Sequence, residues 1–485
     1  MSDVNAHDFT EISEAADVFD LYAGAAAGAK SGMEVELCFF NPDQNDLPVM
    51  DQDQNLSLKR AALAALPEDG KWVHNEPTSE VLEIASQAYD FSNMRAALDE
   101  MRQKISVLCA QAARLGLKRS YFQEFPEKSA DDLLSRIMDV ERYQVMYAPY
   151  RADMAECVRY FAVCKSNQVS VSPRDMDHML EGVRRLYVLA PLLFLLTDNS
   201  GGFLEGQRFS GHAGMYLRHR GLRGGHGGFV PYAFTAASGE EFVSRHIDHV
   251  MNNPLFMYYD HDGRLVKVPS GDWSVTFNSL KEQGLNTASN YYLAQSVLWP
   301  DVKIAALTAN DGQVYGHRYE ARMFGVGNHQ HQSAYLLTSA LAFHEDFARG
   351  VDALLSRYGF DLSHNSYATL MRVRSAYHAA RNHNGRFFDI PYGRGIMAEF
   401  ARELAELIED MALDINMQDA VNPLITICRT GCTDGRINRT VFPNLSGMLR
   451  QQHDYDPAIF TNPNLCARDI FARQLKYADP CSRAA

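Results

Sequence analysis

The stretch Met33–Phe40, MEVELCFF, decides how the chain is read. Its apolar and β-branched content predicts a buried strand, and the side-chain period of two puts Glu34, Glu36 and Cys38 on one face with Val35, Leu37 and Phe39 on the other. Two carboxylates then share one face of a core strand. Where water is scarce, such neighbours raise each other's pKa and oppose folding unless a cation stands between them. The pattern fits a metal site, although a wet edge strand carries the same letters.

A second strand shifts the balance. In Tyr315–Met323, YGHRYEARM, Glu320 and Arg322 share a face, again among aromatic and apolar neighbours. An acid and a guanidinium side by side suit a divalent ion and an anion that bridges to it, and phosphate fits that role.

Composition sets the outer limits. The 485 residues allow two or three average domains or one large enzyme domain, and 46% hydrophobic residues suffice for a sizeable core. A net charge of -14 without an extended basic patch argues against a nucleic-acid partner. The eight cysteines are scattered and form no C-x-x-C pair, which points to a reducing compartment rather than a zinc ribbon or disulfide scaffold. The longest apolar run, Leu186–Leu196, has 11 residues and is too short to cross a bilayer. No basic segment followed by an apolar one opens the sequence. The expectation is a cytoplasmic protein with no membrane partner.

In chain order, a helical pattern over residues 9–23 (Phe9, Ile12, Ala16, Phe19, Tyr22) runs into GAAAGAKS, Gly24–Ser31. That stretch falls short of a phosphate-binding P-loop, because Ala29 replaces the glycine before the lysine and a helix precedes the loop with a strand after it. A polar loop and a helix near Leu56–Ala65 come next, then a strand pair, Trp72–Asn75 and Ser79–Ala85. Here Glu76, Glu80 and Glu83 add carboxylates, of which Glu80 reads as a solvated strand end. Helices are expected over Met94–Leu115 and Ala130–Tyr143. The segment Cys157–Ser172 reads as a long strand or hairpin with Gln168, Ser170 and Ser172 on one face, before a helix capped by Asp175 that runs to about Thr197.

Residues 199–232 hold ten glycines, together with Arg208, Arg218, Arg220 and Arg223. A glycine-hinged arginine loop suits closure over a polyphosphate. Beyond it, SVTFNSL and VKIAAL read as strands, residues 333–356, 363–381 and 396–415 as helices, and the tail from Met417 has few periodic features. Successive strands interleaved with helix pairs, then an all-helical end, favour an α+β antiparallel sheet over a doubly wound one.

The succession MEVELCFF, EPTSEVLEI, SNQVSVSP before a long helix, an arginine-rich loop, WPDVKIAAL and YEARMFG resembles the glutamate-cysteine ligase branch of the glutamine synthetase superfamily. The first motif resembles that family's G-x-E-x-E strand. YEAR resembles its E-x-R strand, which follows a P-E-V-R-like segment, here Pro300-Asp301-Val302-Lys303. The resemblance covers roughly residues 30–400.

It implies an antiparallel sheet forming a curved catalytic funnel flanked by helices, with a helical C-terminal part. The expected layout is an N-terminal helical segment 1–30, a catalytic domain 31–415 that includes the mobile loop 199–232 and the helical part 333–415, and an extension 416–485 packed on the same domain. The implied activity is a carboxylate-amine ligase in which ATP phosphorylates a carboxylate, with glutamate the expected one, and an amine displaces phosphate to give an amide. Glu34, Glu36, Glu76, Glu83 and Glu320 would hold Mg2+, with Mn2+ as a substitute; Gln168 and Ser170 would lie at the nucleotide; Arg322 would contact the transferring phosphoryl group, and Arg218 or Arg220 would sit over the γ-phosphate. Partners would be small molecules only, and the protein a monomer or small homo-oligomer.

Three departures bear on the substrate more than on the chemistry. Ser170 stands where many relatives have asparagine, the loop GLRGGHGG has no counterpart, and Lys303 replaces an arginine. Two other readings stay open: a metal-dependent hydrolase with His329 and His331 as ligands, and a nucleotide-binding homologue without catalysis.

Overall fold

The computed structural model describes residues 8–23, 29–42, 49–67, 72–125, 128–147, 164–200, 202–204, 206–208, 226–269, 272–308, 314–327, 329–362, 365–382 and 389–441. Its centre is an eight-stranded sheet made of β1 (Lys30–Phe40), β2 (Val73–Asn75), β3 (Val81–Ala85), β4 (Tyr89–Asp90), β5 (Lys118–Ser120), β6 (Ser166–Val171), β7 (Val302–Thr308) and β8 (Val314–Gly325). The order is β7-β8-β6-β1-β3-β2, with β4 and β5 also on β1, and every pairing within it is antiparallel. The fold class is therefore α+β, and β1, the MEVELCFF strand, is its hub. Among the described residues the sheet does not close into a barrel.

β1 alternates as its sequence requires. Val35, Leu37 and Phe39 are fully buried on the face covered by helices, where each large apolar side chain contributes about 2 kcal/mol by leaving water. Two helices cover that face, α2 (Met176–Leu196) and α3 (Gln330–Phe343), with α1 (Met94–Arg114) beside them. Gly182 lets α2 come down onto the sheet: a Cβ there would stand 2.6 Å from Tyr319 Oη of β8. On α3, Tyr335 Oη donates to Ser31 O at 3.3 Å and Ser339 Oγ donates to Ser31 Oγ at 2.7 Å, which fixes that helix over β1. One apolar core runs from Ile12 to Ile437. A smaller one, including Leu134, Tyr147, Phe256, Met257 and Trp299, joins helix Glu141–Tyr147 to the hairpin of Met257–Tyr259 and Leu265–Lys267.

Several expectations are corrected. The first helix spans only Ala16–Ala23, because the backbone before it is extended, with Ile12 N bonded to Asn286 O. The second begins at Gln52, where Asp51 and Gln54 form a capping box. The pattern over 130–143 breaks into Ala130–Leu134 and Glu141–Tyr147, since Met138 N turns aside to Pro77 O and Ile137 bridges Thr78. SVTFNSL is no strand: Thr276 makes one bridge to Pro254 and a 3-10 helix, Asn278–Gln283, follows. The tail from Met417 is helical over α5 (Gln418–Thr430), which packs on α4 (Met397–Asp414), and again over Asp434–Val441. Pro423 masks the periodicity of α5, whose buried side includes Val421, Leu424, Ile427 and Cys428. Of the segment Cys157–Ser172, residues 157–163 lie outside the described residues.

Candidate active site

The register of the sheet lines up the polar positions. Directly opposed residues in antiparallel strands share a face. Glu36 faces Glu83, which faces His74; Glu34 faces Gln168; Ser170 faces Gly32 on one side and Glu320 on the other; and Glu320 faces Lys303. Six strands thus carry one polar row on the face turned away from α2 and α3. Arg318 and Arg322 flank Glu320 at the period of two on β8, and Glu76 follows β2 directly.

Gln168 ties the row together. Its Nε2 donates to Glu36 Oε1 at 2.8 Å and to Glu83 Oε2 at 3.3 Å, and its Oε1 accepts from Arg322 Nε at 3.1 Å. Both halves of one amide are used, so a single side chain links the β1 and β3 carboxylates to the β8 guanidinium. Glu36 also accepts from Ser166 N at 2.7 Å. Arg322 Nε stands 2.9 Å from Glu320 Oε1, and Arg318 reaches Glu320 Oε2 at 2.9 Å and Glu34 Oε1 at 3.6 Å. Ser170 Oγ is buried with no hydrogen-bond partner among the described residues.

The electrostatics follow from this crowding. Burial first, and then the neighbouring Glu36 carboxylate, hold Glu76 up at about 8. Burial and the carboxylates of Glu34, Glu76 and Glu36 push Glu83 well above its ordinary range, and burial and Glu320 raise Glu34. On the cationic side, burial and then Arg322 bring Lys303 down to about 7. Helix Glu141–Tyr147 borders the site: Tyr143 Oη donates to Asn75 O at 3.0 Å, and burial and Glu76 raise its phenol.

These observations test the fit of a divalent cation. Among the described residues, no three His, Cys, Asp or Glu side chains already stand round a common point. The carboxylates are instead turned to Gln168, Ser166 and the two guanidiniums. Their chemistry does fit: desolvated oxygen donors whose mutual repulsion keeps protons on them are what a hard cation relieves.

Of the residues expected from sequence, Glu34, Glu36, Glu76, Glu83, Gln168, Ser170, Glu320 and Arg322 come to this one face. Arg218 and Arg220 lie outside the described residues, as does most of the loop that carries them. Glu80 is fully buried rather than solvated, and accepts from Thr78 Oγ1 at 2.8 Å. His329 and His331 are elsewhere, at the start of α3. His329 Nε2 stands 3.2 Å from Asp434, and neither histidine belongs to a metal-holding group among the described residues. Arg318 was missed in the sequence, although its spacing of two from Glu320 marks it.

Comparison with known proteins follows the same line. Residues 30–277, just over half of the chain, match the family described as glutamate-cysteine ligase family 2. Among solved structures, the chain is similar to the glutamate-cysteine ligase of Francisella tularensis in complex with AMP, with a TM-score of 0.54, 10% identity and 95% of each chain covered. It is also similar to a bifunctional glutathione synthetase from Pasteurella multocida, with a TM-score of 0.40, 9% identity, and 95% of this chain and 54% of that one covered. No curated protein matches the sequence. The first likeness is one of fold, and with the match that spans the hub strand and its carboxylates it places the chain in the glutamate-cysteine ligase family 2.

Proposed function

We propose that the chain is an ATP-dependent carboxylate-amine ligase that activates glutamate, or a similar amino acid, as an acyl phosphate and passes the acyl group to an amine. The observation that carries this reading is the Gln168 amide, bonded at once to Glu36, Glu83 and Arg322 on one face of the sheet. Acid residues for a cation and a guanidinium for a phosphoryl group are thereby held in one rigid unit.

Bound Mg2+, or Mn2+ in its place, would supply charge neutralisation between the carboxylates and a polyphosphate. Glu34, Glu36, Glu76, Glu83 and Glu320 would hold it. Arg322 is held by Glu320 and Gln168 and offers its remaining N–H groups to the oxygens of the γ-phosphoryl group as that group moves to the substrate carboxylate. Gln168 and Ser170 face the nucleotide. The amine nitrogen then attacks the acyl carbon and the bond from that carbon to the phosphate oxygen breaks. Phosphate leaves with the electron pair and the nitrogen gives up a proton. An acyl phosphate open to water is hydrolysed, so Arg218 and Arg220 are assigned to a loop that closes over it.

The test is a panel of amino acids and amines, scored for amide product together with ADP and phosphate. Amide should form only with ATP, a carboxylate, an amine and a divalent cation all present. Activity that survives EDTA, or ATP hydrolysis with no amide across the panel, would overturn the assignment.

A further inference from the structure

The fork of Arg318 spans two carboxylates that do not sit on neighbouring strands. Glu34 is on β1 and Glu320 on β8, with β6 between them. The guanidinium crosses over β6 to meet both, Nη1 at 3.6 Å from Glu34 Oε1 and Nη2 at 2.9 Å from Glu320 Oε2. This is the ground between the carboxylates that the proposed function gives to a divalent cation. We propose that Arg318 is a resident counter-ion, which fills the cation position between Glu34 and Glu320 while the protein is metal-free and is displaced when a divalent cation binds. The inference rests on the ligase reading for the existence of the cation but not for the behaviour of the arginine.

Three features of the site support it. A guanidinium carries one positive charge on a planar fork and pairs two oxygens at a time, so it can hold two carboxylates apart as well as neutralise them. That accounts for the lack of any three carboxylates round a common point among the described residues. Next, Arg318 and Arg322 flank the same Glu320 but differ in freedom. The Arg322 side chain is 9% exposed and also pinned by Gln168, whereas that of Arg318 is 27% exposed and that of Glu34 is 23% exposed. Arg318 therefore has the more open route to solvent of the two. Finally, the exchange favours the dication in charge: it brings two positive charges to the acids where the guanidinium it displaces brought one.

Displacement makes the arginine a competitor, and by linkage whatever the cation must expel lowers its apparent affinity. Mn2+ binding to the full chain without nucleotide, followed by the electron spin resonance signal of the free ion, reads this directly. R318Q removes the competing charge and should bind Mn2+ about tenfold tighter than the parent chain. R318K keeps a charge that cannot bridge both carboxylates, so it should fall between the two. Metal-free R318Q should also melt lower than the parent, and Mn2+ should restore the difference. If R318Q does not fold, R318K alone decides the matter. An affinity no tighter than the parent's, even with a lowered melting point, would make Arg318 a structural ion pair and overturn the proposal while leaving the ligase reading intact. No Mn2+ binding by any of the three proteins, with or without a non-hydrolysable ATP analogue, would overturn both.

Discussion

The two faces of the sheet are made by the same strands at alternate positions, and the centre of the polar face is buried almost as deeply as the apolar one. On the helix-covered face, Val35, Leu37, Val169, Val171, Tyr319 and Met323 are at most 1% exposed. On the other, Glu36, Gln168, Lys303, Glu320 and Arg322 are 4–8% exposed. Depth of burial therefore does not separate scaffold from site. What separates them is satisfaction. The helix face meets apolar partners on α2 and α3 and wants nothing further. Among the described residues the acid face is held by the Gln168 amide, Ser166 and two guanidiniums, leaves the Ser170 hydroxyl without a partner, and keeps protons on Glu76 and Glu83 far above the ordinary carboxylate range. Strain of that kind persists where a ligand relieves it.

The largest effect should come from cutting the acid face. Glu320→Gln should lower the rate of amide formation by about a hundredfold or more, and Arg322→Gln by roughly a thousandfold, since charge stabilisation of the phosphoryl group carries most of such catalysis. The metal-free Glu320→Gln protein should fold but melt lower than the parent, because Arg318 and Arg322 lose the carboxylate they share. Steady-state kinetics and a thermal scan on the same preparation check both halves. Near-normal turnover in either variant would mean that this face is not the reaction site.

Leu37→Ala is the mirror experiment on the helix face. Leu37 lies one residue from Glu36 and is fully buried, so the truncation should cost about 2–5 kcal/mol of stability, read by chemical denaturation. The KM for ATP of the fraction that remains folded should barely move. If instead KM rose as stability fell, the two faces would not be separable.

That contrast also marks how far the sequence could be read. Alternation in MEVELCFF and YGHRYEARM was enough to place Glu34, Glu36, Glu320 and Arg322 on one side and Val35 and Leu37 on the other, because a period of two is a local property of the chain. Glu80 was misjudged for the opposite reason. It is buried in the fold with the charge of Lys165, far along the chain, acting on it, and no neighbouring letter shows that. The helix of Gln52–Ala65 was placed too late although its cap, Asp51 with Gln54, is written in the sequence. The helix over Gln418–Thr430 was missed because Pro423 hides a pattern that packing against Met397–Asp414 sustains. Arg318 was passed over because its role lies in reaching across a strand, and sheet order is not legible in one sequence.

A smaller effect should distinguish the faces by pH. His331 of α3 sits on the helix side, with both ring nitrogens buried and no hydrogen-bond partner among the described residues. Burial first, then Arg119 and His329, push its imidazole down to about 3 from 6.5. The folded state thus binds the proton less readily than the unfolded chain. The contribution to stability is present above about 6.5 and is lost progressively as pH falls toward 3. Between pH 7 and pH 5 the loss should be about 2 kcal/mol. Denaturation midpoints at the two pH values should differ less in His331→Met than in the parent, and parallel curves would show that the histidine has a proton-accepting partner.

The smallest effect concerns a hydroxyl of the acid face that bonds to nothing among the described residues. Ser170 lies between Gly32 and Glu320 in the register, and its Oγ is buried without a partner. A buried hydroxyl left unsatisfied adds little to a fold, because its lost contact with water is not replaced. Ser170→Ala should therefore change stability by no more than about 0.5 kcal/mol, and in either direction. If the hydroxyl is there for the nucleotide, the loss appears only when ATP is bound, as a rise of a few-fold in the KM for ATP. Measuring both quantities on one variant asks whether a position that contributes nothing to the empty sheet contributes to the loaded one. An unchanged KM would assign Ser170 to the scaffold and move the edge of the nucleotide site back to Gln168.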